Sequence, residues 1–396
     1  MFTILLEMKI LYIHNDYAKP SGEEHASGEL IQLLKEHGHV VEKYSRSSAE
    51  IADSAFGKIK SFFTGIWNPL EAKRLRIYLK RFKPDVAIVQ NLYPLLSPSI
   101  FKPLKDIHVP VVMRCPNYRL FCPGGLCLDN DGHICEKCFG RGKEWWCIRK
   151  NCEKSLFKSV GYAARNAVAR KSKAILDGVD VFIVQSAFQK EKFILQGIQG
   201  ERIGILPGIA PVITEGEEKV QIGNWFTFVG RVSEEKGIYE FIEAAKHLPH
   251  LTFKVAGNLD GNFKKPTDMP TNVEFTGFLK GRELDDLYRK SRAIVVPSKW
   301  YEGFPNVIVR GMLLKRPVIT SDIGAMQSII DNGVNGITVS PGDTRALKKA
   351  IEELSKDENK SIEYGLKGYE KASSLYSREQ IYLSLQSIIN QAVKIR

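Results

Sequence analysis

The sequence predicts an α/β protein made of two doubly wound domains that face a cleft. The chain has 396 residues, more than one hydrophobic core usually holds, so two domains are expected. Short apolar, β-branched segments alternate with helix-length segments, which is typical of parallel sheets covered by helices on both faces. This alternation breaks once, at residues 206–223, where Pro, Gly and charged residues predict a linker.

The first half supplies the expected elements of one domain, residues 1–205. An amphipathic helix, ASGELIQLLKEHG, is expected to end at Gly38. The predicted strands are KILYIHN, HVVEKYS, PDVAIVQN, VPVVMRC and VDVFIVQS. The start of the chain lacks the basic region and cleavage site of a signal peptide, and the strand pattern already begins after Met8.

The second half repeats the alternation and predicts a second domain, residues 206–375. Its predicted strands are WFTFVGR, LTFKVAG, VEFTGF, AIVVPS and PVITS, with a helix at YEFIEAAKHL. The tail, residues 376–396, has Ile381, Leu385, Ile388 and Ala392 on one helical stripe. We expect this amphipathic helix to pack back on the first domain.

A basic turn follows the first strand of the second domain. In VGRVSEEKG, Gly230 lets the backbone approach a ligand, and Arg231 and Lys236 lie before a helix. Two fixed cations beside a helix N-terminus suit a diphosphate. The alternative is a surface loop whose two cations are merely salt-bridged.

A second loop, WYEGFPN, follows the predicted strand AIVVPS. Asn306 is expected to cap the next helix, and the amides of Phe304, Asn306 and Val307 could then bind phosphate. Glu302 opposite the cations could accept hydrogen bonds from sugar hydroxyls. The alternative is that Glu302 is a solvated loop acid.

Together these segments resemble one family. GRVSEEKG, PSKWYEGFPNVIV and PVITSDIGAMQSIIDNGVNG are similar to the donor-binding half of family 4 glycosyltransferases, which have the two-domain, Rossmann-like GT-B fold. HNDYAKPSGEE, QNLYPLLSPSI, NYRLFCPGGL and VFIVQSAFQKEKFI resemble the branch that makes capsular and extracellular polysaccharides. The resemblance covers nearly the whole chain from Met8, with the motifs in order.

The resemblance implies transfer of a sugar, with retention, from a nucleotide-diphosphate sugar such as a UDP- or GDP-sugar. The acceptor would be a glycan or a polyprenyl-diphosphate-linked sugar bound by the first domain, and no metal cofactor would be required for catalysis. Arg231, Lys236 and Glu302 would be the catalytic residues. The residues implied in substrate binding are Ser21, Gly22, Glu23, Asn117, Gly230, Gly303, Phe304, Pro305, Asn306, Val307 and Arg310.

The sequence departs from the family pattern at several positions. The family motif has a second Glu eight positions after the first, but Arg310 stands there, and an arginine cannot accept hydrogen bonds from a ribose. Ser21 replaces a usual Gly, and Pro116 and Gln90 occupy positions where relatives carry His. The alternative function is therefore a weakened or non-catalytic partner in a polysaccharide assembly complex.

All seven cysteines fall between Cys115 and Cys152, a cysteine-rich insert in the first domain that indicates a reducing compartment. The CEKC spacing is that of a zinc knuckle. Similarity to the polysaccharide branch selects Cys122, Cys135, Cys138 and Cys152 as ligands of a structural zinc ion. Cys127, Cys147 or His133 could substitute, and free thiols or an iron–sulfur cluster are the alternatives.

Charge is concentrated in the first half of the chain. Residues 1–205 hold 31 basic and 21 acidic residues, whereas the rest holds 26 and 24. The segment from Arg141 to Lys173 contains ten basic residues, only two acidic residues and two tryptophans, a composition that suits contact with an anionic membrane surface. A solvated basic helix is the alternative. We expect a cytoplasmic protein, peripheral on the inner face of the cell membrane.

Nucleic acid is the remaining candidate partner for a chain with a pI near 9.2. The basic region is confined, and no aromatic RNA-stacking motif accompanies it. No nucleic-acid partner is therefore expected.

Overall fold

The computed structural model describes residues 7–18, 22–51, 55–213 and 222–396. They form two compact units, the first comprising residues up to 131, 135–209 and 381–396, the second residues 132–134 and 210–380. No helix among the described residues is long and apolar enough to cross a membrane.

The first unit is built on a six-stranded parallel sheet with strand order β2-β1-β3-β4-β5-β6. Strands β3, β4 and β5 are buried at every residue, as expected for strands covered on both faces. The strands are β1 (Lys9–Asp16), β2 (Val40–Ser47), β3 (Val86–Val89), β4 (Val111–Arg114), β5 (Val181–Val184) and β6 (Ile203–Ile205). Sequence patterns did not predict β6, because three residues carry too little periodicity.

Among the described residues of the first unit, eight helices connect these strands. Asn68 caps α3 through its side chain, and Ser155 caps α6 in the same way, so local sequence sets where these two helices start. The helices are α1 (Gly22–Glu36), α2 (Ala55–Ile66), α3 (Pro69–Phe82), α4 (Phe101–Asp106), α5 (Trp145–Arg149), α6 (Leu156–Ser172), α7 (Ala174–Gly178) and α8 (Ala187–Leu195).

The second unit repeats the plan with strand order β12-β11-β10-β7-β8-β9, again parallel. The chain runs outward from β7 to β9, then returns beside β7 and runs outward the other way. The strands are β7 (Trp225–Val229), β8 (Thr252–Ala256), β9 (Val273–Gly277), β10 (Ser291–Val296), β11 (Val318–Ser321) and β12 (Gly336–Val339).

The helices of the second unit are amphipathic and bury their apolar sides on this sheet. Asp343 caps α13, and Asp357 caps α14. The helices are α9 (Ile238–Lys246), α10 (Gly281–Arg289), α11 (Asn306–Leu313), α12 (Met326–Ile329), α13 (Thr344–Lys356) and α14 (Glu358–Leu375).

The C-terminal helix α15 (Arg378–Ile395) contributes to the core of the first unit. Its stripe of Ile381, Leu385, Ile388 and Ala392 is buried, as the periodicity predicts. These residues share one hydrophobic cluster with Ile10 of β1 and with apolar residues of β3, β4 and β5. The side chain of Tyr382 also stacks on His37, with ring centroids 3.5 Å apart.

Candidate functional site

The predicted diphosphate loop and the Glu302 loop follow adjacent strands of the second sheet. β7 and β10 are neighbours there, and the strand order reverses between them. Ligands of open parallel sheets bind outside the carboxyl ends of strands at such a reversal. The fold therefore places both loops where a ligand is expected.

Glycines make the first loop possible. Gly230 and Gly237 have φ values of 144° and 78°, in the region that disfavours side chains. A Cβ on Gly237 would lie 2.0 Å from the carbonyl oxygen of Pro297, just after β10. The backbone of the first loop thus touches the start of the second loop, with only a 3-10 turn, Glu234–Lys236, and Gly237 before α9.

Glu302 joins the two loops through its side chain. It is 6% exposed, so the alternative of a solvated loop acid is wrong. Its Oε1 accepts hydrogen bonds from Ser298 Oγ at 2.7 Å, Trp300 Nε1 at 2.9 Å and Lys236 Nζ at 2.6 Å. The lysine ammonium also lies 5.3 Å from the centroid of the Trp300 ring. The half-buried Lys236 is therefore held in place by the buried Glu302.

Arg231 is more open than Lys236. Its guanidinium pairs with Glu235 and lies 3.5 Å from Asp260, and its side chain is 49% exposed. Both predicted diphosphate cations are thus salt-bridged, as in the alternative interpretation, yet both stand at the carboxyl edge of the sheet. A salt bridge to a carboxylate does not prevent an anionic ligand from competing for the same cation.

Helix α11 begins one residue earlier than predicted. Asn306 is its first residue, and Pro305 takes the cap position without a side-chain hydrogen bond, so the prediction that Asn306 caps the helix is wrong. Pro305 has extended backbone angles, which suit a cap residue but offer no acceptor side chain. The first amides of α11 are consequently not capped by a side chain. Gly303, Phe304 and Val307 are half-buried around this helix start.

Arg310 is directed to another helix. It lies in the last turn of α11, and its guanidinium forms an ion pair with Asp285 of α10. The Asp285 side chain is fully buried, and that of Arg310 is 17% exposed. The position at which the family resemblance expects a ribose ligand is therefore occupied by a structural ion pair, and Asp285 is a residue that sequence reasoning missed.

The substrate-binding residues predicted in the first unit that the structure describes lie at the carboxyl edge of its sheet. Ser21 is outside the described residues, and Gly22 is the exposed first residue of α1. Glu23 and Asn117, although 94 positions apart in sequence, line the same pocket. The structure thus brings two of the four predicted residues together.

Other polar residues of this pocket were not predicted as ligand residues: Asn91, Arg114 and Arg119. Gln90 and Pro116, noted only as departures from the family, line it as well. The signal that could have found Gln90, Asn91 and Arg114 is their place at the ends of the buried strands β3 and β4.

Four of the seven cysteines form two hydrogen-bonded pairs. The Cys127 thiol is hydrogen-bonded to Cys122 and lowers the pKa of Cys122 to about 7. A hydrogen bond with Cys147 likewise lowers the pKa of Cys152. All seven cysteines are free, and among the described residues no three of their sulfur atoms lie within 4.8 Å of one another. Structural zinc at Cys122, Cys135, Cys138 and Cys152 stays a prediction.

Sequence comparison finds that parts of this chain are similar to known glycosyltransferases. Residues 223–357 match the family described as Glycosyl transferases group 1. An O-antigen chain mannosyltransferase C from Escherichia coli is 29% identical over 164 residues, 40% of this chain and 44% of that protein. The capsular polysaccharide biosynthesis glycosyltransferase CapM from Staphylococcus aureus is 28% identical over 176 residues, 42% of this chain and 46% of that protein. The chain thus spans less than half the length of these curated relatives.

Structural similarity extends over the whole chain. The Anabaena protein HepE in complex with UDP superposes with a TM-score of 0.65 at 16% identity, covering 97% of this chain and 100% of that one. At this identity the similarity shows the fold alone. The fold is GT-B, with two Rossmann-like domains, as the sequence predicts.

Proposed function

We propose that this chain, whose residues 223–357 carry the group 1 glycosyl transferase pattern, is a retaining hexosyltransferase of surface polysaccharide or glycolipid biosynthesis. It would transfer a sugar from a nucleotide-diphosphate sugar to a glycan or a lipid-linked acceptor. The observation that carries this proposal is the meeting of Arg231, Lys236 and Glu302 at the reversal of strand order in the second sheet. The UDP bound to HepE supports a UDP-sugar as donor.

The mechanism depends on where charge develops. When the sugar–phosphate bond breaks, negative charge builds on the leaving diphosphate, and preorganised cations stabilise it most at that point. Lys236 is held in place by Glu302 at 2.6 Å and by the Trp300 ring, so little reorganisation is needed when the charge appears. Arg231 can turn from Asp260 to the phosphates, since its side chain is half exposed.

Glu302 would then act on the donor sugar. It is a carboxylate acceptor beside the uncapped start of α11, whose amides favour negative charge. In the proposed complex Glu302 accepts hydrogen bonds from sugar hydroxyls while it keeps Lys236 beside the phosphates. The residues present supply the positive charge, so no catalytic metal is required by this proposal.

The donor is tested by thermal shift with UDP-, GDP- and ADP-sugars, followed by assays of transfer and hydrolysis. A true donor raises the melting temperature by mass action. The Lys236→Met variant should reduce kcat by about 100- to 1000-fold, the usual effect of removing one preorganised charge donor. Lys349→Met changes an exposed lysine on α13 of the same unit and should leave kcat unchanged.

Two other outcomes separate the alternatives. Donor binding without turnover would favour the non-catalytic partner in an assembly complex. Absence of any shift with all three nucleotide sugars would overturn the proposal that this chain uses a nucleotide-sugar donor.

We further propose that the first unit binds the anionic inner face of the cell membrane. Helices α2 and α6 pack together through Phe62 and Phe157, with ring centroids 5.3 Å apart. Large apolar side chains stand exposed around this contact, from 36% to 62%: Ile59, Phe63, Leu156, Phe157 and Val160. The exposed lysines Lys60, Lys154 and Lys158 flank them. Apolar side chains ringed by cations match an anionic bilayer surface.

Membrane binding is tested by sedimentation with vesicles of neutral lipid alone or with anionic lipid added. We expect binding only with anionic lipid, and a clear loss in the Phe63→Ser/Phe157→Ser variant. Leu195→Ser changes a 75% exposed side chain on α8 and serves as the control. Equal binding by the variant would show that this surface is not the contact.

The structural zinc is a separate proposal. Purified protein should contain about one zinc ion per chain by elemental analysis, and the Cys135→Ser/Cys138→Ser variant should lose it. Zinc-free protein with all thiols titratable in the folded state would contradict the proposal and leave the free-thiol alternative.

A further inference from the structure

A pocket lies at the carboxyl edge of the first sheet, where β3 and β4 end. The polar residues that line it are Glu23, Gln90, Asn91, Arg114, Asn117 and Arg119. The strand order of this sheet reverses between β1 and β3, so the pocket lies next to the position where doubly wound sheets bind ligands.

Two arginines line this pocket, and a third stands beside it. Arg114, at the end of β4, is 5% exposed, and Arg165 on α6 is also 5% exposed. The Arg165 guanidinium lies 4.3 Å from the centroid of the Tyr93 ring, and Tyr93 is itself part of the pocket wall. We refer to Arg114, Arg119 and Arg165 as the arginine cluster.

The arginine cluster is held by neutral acceptors. Arg114 Nη1 donates to Gln90 Oε1 at 2.9 Å, and Arg119 Nη1 donates to Tyr17 Oη at 3.1 Å and to Asn91 Oδ1 at 3.3 Å. Arg165 Nη2 donates to the carbonyl oxygen of Pro123 at 2.7 Å. None of the three forms an ion pair with a carboxylate within the part of the chain that the structure describes.

Two donor atoms of the cluster are also unused. Arg114 Nε and Arg119 Nε are buried and have no hydrogen-bond partner. Buried charges are costly unless they are paired, and buried polar atoms are rarely left without a partner. Two such atoms in the wall of one pocket point to a ligand with several acceptor oxygens.

The nearby groups compensate this charge only in part: Tyr17 and Glu23 raise the pKa of Arg119 against the effect of its burial. Glu23 lines the pocket, but its two oxygens accept from Gln90 Nε2 and Tyr17 Oη, both at 3.2 Å. Burial raises the pKa of Glu153, the next acid, despite Arg165 and Arg119. Burial, and then repulsion by Arg119, lowers the pKa of Arg165, which shows how crowded the positive charge is.

We propose that this pocket binds a phosphate or diphosphate group carried by the acceptor. The inference rests on the proposed function, because the acceptor is a substrate of the proposed glycosyl transfer. The pocket is assigned to the acceptor rather than the donor because the cations assigned to the donor diphosphate lie in the other unit. Guanidinium groups match phosphate oxygens in geometry and charge, and buried arginines are suited to this task. The substrate class is thus a phosphorylated acceptor, either lipid-linked or a soluble sugar phosphate.

The course of α6 favours the lipid-linked source. Arg165 follows Phe157 by eight positions on the same helix, a distance of about 12 Å along its axis and about 80° around it. Phe157 belongs to the exposed apolar surface described above. A diphosphate at the arginine cluster would therefore lie near apolar side chains that can contact its lipid chain.

The experiment uses the full chain with Arg231→Gln and Lys236→Gln as a background, which removes the cations assigned to the donor. Calorimetric titration with inorganic pyrophosphate should still show binding. Adding Arg119→Gln should weaken it by roughly 10-fold or more, because a charge-assisted contact is lost. Arg141→Gln, an exposed arginine of the same unit, should leave the affinity unchanged.

A second variant guards against a folding defect. Asn117→Asp keeps the size of the side chain and places a negative charge in the pocket, so it should weaken pyrophosphate binding as well. Both variants are compared with the background in thermal denaturation. If both keep the melting temperature and the pyrophosphate affinity, the proposal is overturned.

Two further titrants identify the ligand. Geranyl diphosphate should bind more tightly than pyrophosphate if the source is lipid-linked, and equally if it is a soluble phosphate. Glucuronate binding as tightly as pyrophosphate would overturn the assignment to phosphate.

The outcome is independent of the donor proposal. Pyrophosphate binding to the unmodified chain but not to the background would overturn the arginine pocket and leave the donor site intact. Binding to the background, without any shift from nucleotide sugars, would keep the anion site and contradict the proposed function.

Discussion

Arg310 illustrates how one residue can be judged differently by motif and by contact. By motif, it replaces a carboxylate that would bind ribose. By contact, it neutralises Asp285, which is fully buried between α10 and α11. An uncompensated buried carboxylate is strongly destabilising, so Arg310 has a structural reason to be present.

The Arg310→Glu substitution, which restores the motif, is therefore expected to destabilise the protein rather than to improve donor binding. Two carboxylates would meet at a buried position, and the free energy of unfolding should fall by about 3 to 5 kcal/mol. Urea denaturation measures the loss.

The matched control is the pair of variants Arg310→Met and Arg310→Met/Asp285→Asn. The single variant should also lose stability, and the double variant should recover at least half of that loss, since an amide is less costly to bury than a charge. A stable Arg310→Glu variant would contradict this account.

Among the elements, the loop after β7 depends most on its backbone. Gly237 precedes α9 with φ at 78°, and a Cβ there would lie within 2.0 Å of a carbonyl oxygen after β10. Gly257, at the end of β8, is equally restricted, because its Cβ would lie 1.8 Å from the Gly230 carbonyl oxygen. These close approaches hold the three strand ends together and set the position of Lys236.

The Gly237→Ala substitution should lower the free energy of unfolding by about 2 to 4 kcal/mol, from the left-handed conformation and the backbone clash together. It should also weaken donor binding, because the loop must shift. Gly261→Ala is the control, since its Cβ would meet nothing within 4 Å. Urea denaturation of both variants checks this, and equal stability would contradict it.

At the scale of the whole molecule, the last helix belongs to the first compact unit. His39 Nδ1 accepts from the Met8 amide at 3.3 Å, so its Nε2 carries the proton and donates to Tyr382 Oη at 2.9 Å. His39 thus links Met8, just before β1, to Tyr382 of α15, which lies 343 positions after His39 in the sequence.

This contact predicts a pH dependence of stability. Burial, and then the neighbouring His37, lowers the pKa of His39 below its ordinary 6.5. The unfolded chain therefore binds more protons below that pH, so the stabilisation is complete above pH 6.5 and is lost as the pH falls. Burial also lowers the pKa of His14, so its contribution to stability has the same pH dependence.

The His39→Gln variant isolates this contribution. It should cost about 1 kcal/mol at pH 7.5 and less at pH 5.5, where His39 gains a proton in the unfolded chain. Thermal denaturation at both pH values measures it, with the exposed His250→Gln as control. An equal loss at both pH values would show that His39 does not titrate in this way.

Much of the fold could be predicted because its signals are local. Apolar strands such as VAIV and VFIV indicate a parallel sheet covered on both faces, and the apolar stripe of α15 indicates which side of that helix is buried. The strands β6 and β12 were not predicted, because β6 has only three residues and β12 begins with a glycine and is buried at only its two end residues. The cap of α11 was misplaced by one residue, since Asn306 and its neighbour Pro305 both suit a helix start.

The candidate site was only partly predictable. Glycine and charged residues at strand ends, where parallel sheets bind ligands, could be recognised in the sequence. They are Gly230, Arg231, Lys236 and Glu302. The arginine cluster does not, because Arg114, Arg119 and Arg165 are scattered over 52 positions and meet only through packing.

By itself the sequence determined the two doubly wound domains and the loops that carry charge at the strand ends. It could do so because hydrophobic period and turn residues act over a few positions. The tertiary structure decided that Glu302 is buried against Lys236, that Arg310 pairs with Asp285, and that Arg165 stands beside a pocket lined by two other arginines. Those facts depend on contacts between residues distant in sequence, and a side chain's partner there is set by the packing of whole elements.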